Sequence, residues 1–304
     1  RFASAMDDCI IIGAGPAGLT AAIYLARYHL RIHMFDSGSS RAAMIPCTRN
    51  HAGYPEGIAG KELLRLMREQ AEQYGAYREE KKVTAILPEG DDFRIVTDDG
   101  DFRARTVLLA TGVVNHRPNI LPEVHDPALE RGLMRYCPIC DGYEARHGEV
   151  AVLGADQHGA EEARFLSGFG AAVTLLAQRA LDIAADEIAE LEQFGVSVVR
   201  TSVANVCIAD TRVEVDLFDD RRLTFDTLYP ALGSSPRSRL GVSMGAETSA
   251  SGCILTDEHQ QTTVAGVYAI GDVVEGLDQI SVAVGHAATA ATAIHNQLRE
   301  QRPN

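Results

Sequence analysis

Short apolar runs along the chain alternate with stretches in which apolar residues recur every three or four positions, the pattern of strands alternating with helices. The run 8–12 ends on Gly13-Ala14-Gly15-Pro16-Ala17-Gly18, and 19–28, rich in Ala and Leu, reads as a helix. Positions 31–35 predict the next strand, and 60–74 resumes helical spacing through Leu63, Leu66, Met67 and Gln70. Between them, 37–55 has no clean period and carries Gly, Pro, Ser and Asn, which predicts a long functional loop. Segments 93–97 and 101–105, joined by Asp98-Asp99-Gly100, predict a hairpin, and 107–110 a buried strand running into Thr111-Gly112. Three prolines in 115–127 predict a linker. A second strand, helix and strand follow over 149–153, 159–169 and 172–176. Then come a helix over 183–194 and short strands over 196–199, 204–208 and 213–217, with a turn at Asp219-Asp220. Residues 232–239, rich in Ser, Gly and Pro, predict a return linker, 266–270 a strand ending in Gly271-Asp272, and 280–298 a long Ala-rich helix.

This order predicts an α/β fold with two Rossmann-like three-layer nucleotide-binding domains, the first discontinuous and interrupted by a smaller inserted one. The expected boundaries are 1–114, 115–238 and 239–304. A length of 304 residues suits two domains of ordinary size. Residues 1–5 precede Met6 and are expected to be left over from cloning, so they are set aside. No apolar run approaches the roughly 20 residues that span a bilayer. A net charge of -14 argues against a nucleic-acid or anionic-membrane surface. Six cysteines in a chain this long are no secreted disulfide framework, and the start lacks the apolar core of a signal peptide, so the cytoplasm is expected.

The first glycine turn follows a strand, opens a helix and is followed by Asp36, eighteen positions after Gly18. That context makes it a dinucleotide fingerprint: Gly13 for the turn, Gly15 for approach to a pyrophosphate, Gly18 for helix packing, and Asp36 for a ribose. Cys137 and Cys140, in Tyr136-Cys137-Pro138-Ile139-Cys140-Asp141-Gly142, can close a small disulfide ring and share a turn that favours a reactive thiolate. C-x2-C is also half of a zinc site, but a zinc ribbon needs a second pair, and Cys9, Cys47, Cys207 and Cys253 are scattered singly. A redox pair and no metal are therefore expected.

Together these pieces resemble the low-molecular-weight thioredoxin reductase family of flavin-dependent disulfide oxidoreductases across essentially the whole chain. The match rests on Gly13, Gly15 and Gly18, on Asn50-His51-Ala52-Gly53-Tyr54-Pro55-Glu56-Gly57, on Ala110-Thr111-Gly112, on 137–141 and on Gly271-Asp272. The resemblance implies an FAD domain interrupted by an NAD(P)H-type insert that carries the redox pair, and a homodimer acting on a small-molecule or protein dithiol or disulfide, thioredoxin-like proteins included. It implies that Asp272 holds the ribityl or pyrophosphate region of FAD, that Asn50 lies near the flavin, that Gln279 and Ile280 start a helix facing the isoalloxazine ring, and that Arg41 contributes from the loop. Pro16, Ala17 and Val83 are further assigned to the cofactor site. Cys140 would be the thiol packed on the flavin, Cys137 the one facing substrate, and Asp141 the acid/base, with helix capping as the plainer role for Asp141. His286, on the flavin-facing helix, is a candidate proton shuttle or else an ordinary hydrogen-bonded helix histidine. Cys47 is a possible third redox thiol or inert filling, and His51 is given no role.

The second nucleotide turn departs from the family. Gly154-Ala155-Asp156-Gln157-His158-Gly159 places an aspartate where the middle glycine belongs, and the run that should grip the 2'-phosphate of NADPH reads Ala177-Gln178-Arg179, with one arginine of two. Both changes weigh against NADPH. In this respect the chain is similar to the dithiol oxidases of gliotoxin and holomycin biosynthesis, which implies electrons passing from a dithiol through Cys137 and Cys140 to FAD and then to oxygen; other relatives draw on ferredoxin or another flavin. The aspartate of C-x-x-C-D is the reductase form. The alternatives are therefore an NAD(P)H-dependent thioredoxin-disulfide reductase and a redox-sensing, non-catalytic flavoprotein.

Overall fold

The computed structural model describes residues 6–301, so the expected cloning remnant at 1–5 lies outside the described residues. Two compact units emerge, one comprising the described part of 1–43, 59–114 and 235–304, the other 44–58 and 115–234. The loop 44–58 thus groups with the second unit, although it lies within the first in sequence.

The first unit opens with β1 (Asp7–Ile12), α1 (Pro16–Arg27) and β2 (Ile32–Phe35). It continues through α2 (Gly60–Glu72), β3 (Arg78–Glu79), β4 (Val83–Glu89), β5 (Asp92–Thr97) and β6 (Gly100–Leu109) to β7 (Val113–Asn115). β1 lies parallel between β2 and β6, the arrangement that brings the turn after β1 to the carboxyl edge of the sheet. The predicted hairpin forms as β5 and β6, with Thr97 opposite Gly100. The strand expected at 107–110 is not a separate element. No glycine, proline or turn pair interrupts 101–109, so β6 runs on, pairing antiparallel with β5 up to Ala104 and parallel with β1 from there.

The second unit carries α3 (Pro122–Glu130), α4 (Pro138–Asp141), β8 (Glu149–Leu153), α5 (Gln157–Ser167), β9 (Ala172–Leu176) and α6 (Ala185–Gln193). β10 (Ser197–Val198), β11 (Val203–Ala209), β12 (Arg212–Leu217), β13 (Arg222–Phe225) and β14 (Thr227–Pro230) complete it. Its parallel sheet has the order β10-β9-β8-β14, beside an antiparallel β11-β12-β13 meander. The predicted linker over 115–127 is helical in its second half. Pro122 occupies the first turn of α3, where its missing N–H costs nothing, and burial of His125, Ala128 and Leu129 offsets the bond lost at Pro127. β13 and β14 had no clear signal: β14 is only four residues long and buried on both faces, so it shows no alternation.

The chain returns through β15 (Ser234–Pro236), α7 (Arg239–Ser243), β16 (Val267–Ala269) and α8 (Ile280–Glu300). The expected return linker thus holds a short strand, which pairs with β7. β16 lies parallel to β6 and completes the first sheet around a core that includes Ile10, Phe35, Ile95, Val107 and Leu109. Both units have the Rossmann-like α/β architecture. No helix among the described residues is long and apolar enough to cross a membrane.

Candidate active site

The redox turn belongs to the second unit. Cys137 precedes α4 and Cys140 lies within it, one turn on, so the two sulfurs meet, and they are joined as a disulfide. The Cys140 N–H donates to the Cys137 sulfur (3.2 Å) and to its carbonyl (3.0 Å). A donor already aimed at that sulfur stabilises a thiolate there once the bond opens. Asn50 also sits with this unit: its amide donates to the Ile139 carbonyl (3.4 Å) and accepts from the Thr48 hydroxyl (3.0 Å). Cys47 is a free, half-buried thiol. A Cβ on Gly57 would lie 2.6 Å from its sulfur, so the loop needs glycine there. His51 stacks on Tyr54.

Asp141 does not cap a helix start; it is the last residue of α4. One carboxylate oxygen accepts from the Tyr229 hydroxyl (2.8 Å) and the other faces the Arg135 guanidinium (3.3 Å). Burial pushes this carboxyl above the ordinary range, while the Arg135 charge and the Tyr229 hydrogen bond pull it back. A carboxyl so placed holds its proton longer than an exposed one, as a general acid beside a leaving thiolate should. Neither Arg135 nor Tyr229 was singled out from sequence. Tyr229 stands 88 positions away on β14, and only the fold brings it to the turn.

The dinucleotide cradle belongs to the first unit. Gly13 has φ +111°, and a Cβ on it would lie 2.2 Å from the Ala110 carbonyl oxygen. A Cβ on Gly18 would lie 1.8 Å from the Gly13 carbonyl oxygen, so α1 can approach β1 only with glycine there. Gly15 is the N-cap of α1 and Pro16 its first residue, and no side chain caps this N-terminus, which leaves its N–H groups and positive potential open to a phosphate. Asp36, after β2, accepts from the Ala14 N–H (3.3 Å) and pairs with Arg78 (3.0 Å). Gly271 packs against Ala17, where a Cβ would come within 3.0 Å of the Ala17 side chain. Arg41 bridges Asp272 (3.1 Å) and Asp278 (2.8 Å), a third partner not anticipated. The Thr111 hydroxyl donates to the Arg237 carbonyl (2.8 Å), fixing the turn that ends in Gly112. Gln279 is the N-cap of α8 and Ile280 its first residue. These residues fit a dinucleotide such as FAD. Val83, assigned to the cofactor site, starts β4, and its side chain is buried in the sheet core. His286 is half-buried on α8, burial holds it below the usual histidine range, and its Nδ1 meets no hydrogen-bond partner among the described residues.

Gly15 and Gly18 invite a paired test. Gly18→Ala is expected to displace α1, cost about 1–3 kcal/mol and yield colourless protein. Gly15→Ala, whose Cβ meets only the Ser40 hydroxyl at 3.4 Å, should keep the fold and lose flavin affinity. Flavin-to-protein absorbance ratios and melting temperatures separate the two; a fully yellow Gly18→Ala protein contradicts the cradle.

The second nucleotide turn differs from the first at the same place. Asp156 is the N-cap of α5, and its carboxylate accepts from the Gly159 N–H (3.4 Å), so α5 carries its own anion where α1 is open. Arg179 faces the same carboxylate at 3.5 Å. Gln178 is tied to Asn119, accepting from its N–H (3.1 Å) and donating to its carbonyl (3.4 Å).

An open dinucleotide cradle in one α/β unit and a C-x-x-C disulfide beside a half-buried carboxyl in another define a flavin-dependent disulfide oxidoreductase. The family model for pyridine nucleotide-disulphide oxidoreductases matches residues 7–287. The chain belongs to that family, as a low-molecular-weight thioredoxin reductase-like flavin oxidoreductase. It is 33% identical over 297 residues to a thioredoxin reductase of Treponema pallidum (strain Nichols), covering 94% of this chain and 95% of that protein. Among solved structures it is similar to thioredoxin reductase from Streptococcus pyogenes MGAS5005 (29% identity, TM-score 0.88, covering 97% and 99% of the two chains). It is likewise similar to HlmI (29% identity, TM-score 0.90, 98% and 94%).

Proposed function

We propose that this protein oxidises a dithiol through Cys137 and Cys140 without using NADPH, with FAD in the first unit, oxygen as terminal acceptor and hydrogen peroxide as product. The observation that carries the reading is the contrast between two sibling turns: Gly15 leaves the α1 N-terminus open, whereas Asp156 fills that of α5 with a carboxylate. A pyrophosphate arriving at α5 meets a negative charge and finds one N–H already engaged. In the reaction, a substrate thiolate attacks Cys137, the Cys137–Cys140 bond breaks, and the Cys140 thiolate takes a proton from Asp141. The second substrate thiol, losing its proton, then releases Cys137 and leaves as the disulfide. FAD, when bound, supplies the two-electron carrier that regenerates the cysteine disulfide. A homodimer in the cytoplasm, with His286 supporting proton movement in the first unit, completes the proposal.

The names of the relatives favour a second reading, reduction of a thioredoxin disulfide by NAD(P)H, and they fit it more closely than they fit dithiol oxidation. One anaerobic cuvette separates the two. NADPH, then NADH, then dithiothreitol are added while the flavin absorbance is followed. Bleaching by the dithiol alone, with peroxide on admitting air, supports the first reading; rapid bleaching by micromolar NADPH rejects it in favour of the second.

A further inference from the structure

We propose that Tyr229 and Arg135 are positioning residues for the redox turn, holding the Asp141 carboxyl in the orientation from which it passes a proton to the departing Cys140 thiolate. The inference rests on the reading that thiol–disulfide exchange runs through Cys137 and Cys140, and it holds for either direction of electron flow.

Tyr229 is fully buried on β14, opposite Val152 of β8, and strand alternation sends its ring into the core on the side away from Leu228. A buried phenol needs a partner for its hydroxyl, and this one donates to the Asp141 carboxylate at 2.8 Å, with the Asp141 backbone carbonyl a longer second acceptor at 3.4 Å. Burial pushes the phenol far above its ordinary range, so it stays protonated and serves as a fixed donor. Arg135 is anchored separately: its Nε donates to the Gly132 carbonyl (3.0 Å), which leaves Nη1 aimed at the second carboxylate oxygen. The turn beyond Asp141 is also closed. A Cβ on Gly142 would lie 2.5 Å from the Pro138 carbonyl oxygen and 2.9 Å from the Phe169 ring, so the segment is clamped against that ring.

The carboxyl is therefore held from the preceding segment by Arg135 and from β14 by Tyr229, while Glu144, three residues on, opposes its ionisation. The sign is fixed by the donors. Both stabilise the carboxylate, so removing either lets Asp141 keep its proton to higher pH. In the forward step the Cys137–Cys140 bond breaks as a substrate sulfur bonds to Cys137; the electron pair leaves on Cys140, and the Asp141 proton follows it. The carboxylate regains a proton from the second substrate thiol, so a dithiol that enters as one thiolate and one thiol leaves as its disulfide, while Cys140 becomes a thiol and Cys137 a thiolate held by the Cys140 N–H.

The test uses infrared difference spectra of the holoprotein as a function of pH. A protonated buried carboxyl has a C=O band apart from the amide band, and its loss in Asp141→Asn assigns it. The band is expected to persist to higher pH in Tyr229→Phe and in Arg135→Met than in the natural protein, with Arg135→Lys restoring part of the difference. Tyr229→Phe keeps the ring, so its core is retained. A band with the same midpoint in all forms overturns the proposal, whatever donor reduces the flavin. The pH dependence of dithiol bleaching should move in the same direction as the band. A midpoint that moves in the infrared but not in bleaching overturns the coupling to Cys140, whereas a natural protein that no dithiol bleaches rejects the functional reading and leaves the infrared result standing.

Discussion

Cys140→Ser is expected to slow reduction of the flavin by excess dithiothreitol, added without oxygen, to a rate no greater than that of free FAD. Serine preserves the turn: the backbone N–H at 140 still donates to the Cys137 carbonyl, and Pro138 still starts α4. What it removes is the second sulfur. A substrate thiol can then form no internal leaving group at Cys137, so the electron pair has no route inward. The loss should be of turnover rather than of stability, because a small, half-exposed side chain is changed without opening a large cavity. Stopped-flow absorbance measures it, and the unchanged flavin content of the variant shows that the cradle in the first unit is intact. Bleaching at the natural rate would refute the role given to this thiol, since no other free cysteine has a partner in the C-x-x-C spacing: Cys9 is buried, and burial pushes it up to about 12.

Much of this fold was legible because it is local. The glycine turn after β1, the hairpin at β5 and β6, and the βαβ unit from β8 to β9 each carry their signal within a few residues. What escaped was of two kinds. Continuity is hidden where no residue marks a change of partner: β6 pairs with β5 and then with β1 and β16 without a turn. A proline-rich stretch predicts a linker, yet Pro122 sits where a helix tolerates it. In the site, Cys137, Cys140 and Asp141 are adjacent in sequence and were visible. Tyr229 was not, since a tyrosine in a buried strand has no local mark of whether its hydroxyl meets a carboxylate or another polar group. The Arg41 bridge spans 231 positions to Asp272, and its second arm to Asp278 follows only from the turn that α8 begins. Side-chain pairs made by tertiary folding leave no periodicity to read.

Asp156→Gly combined with Gln178→Arg is expected to create NADPH binding strong enough to bleach the flavin, and the two residues should act through separable terms. Replacing Asp156 removes a carboxylate from the place a pyrophosphate would take. Two like charges about 4 Å apart repel by roughly 1–4 kcal/mol between bulk water and a near-surface site. At about 1.4 kcal/mol per decade, the gain is between a few-fold and roughly a thousandfold. The fold tolerates the change, because glycine at an N-cap is weaker than aspartate by only a few tenths of a kcal/mol. Arg179 is released at the same time from its carboxylate partner, and the new arginine at 178 restores a pair of cations for the 2'-phosphate. Gln178 gives up its two exposed hydrogen bonds to Asn119, about 1 kcal/mol each or less. Asp156→Asn separates charge from bulk: asparagine caps as well as aspartate, so it should recover the electrostatic part alone. Titration of the flavin absorbance with NADPH and NADH reads the result. Recovery that favours NADPH over NADH assigns the 2'-phosphate contact to position 178, whereas a double variant that binds NADPH no better than the natural protein would show that Asp156 is not what closes this turn. In that outcome the contrast between α1 and α5 loses its functional meaning, and the dithiol reading loses its geometric support.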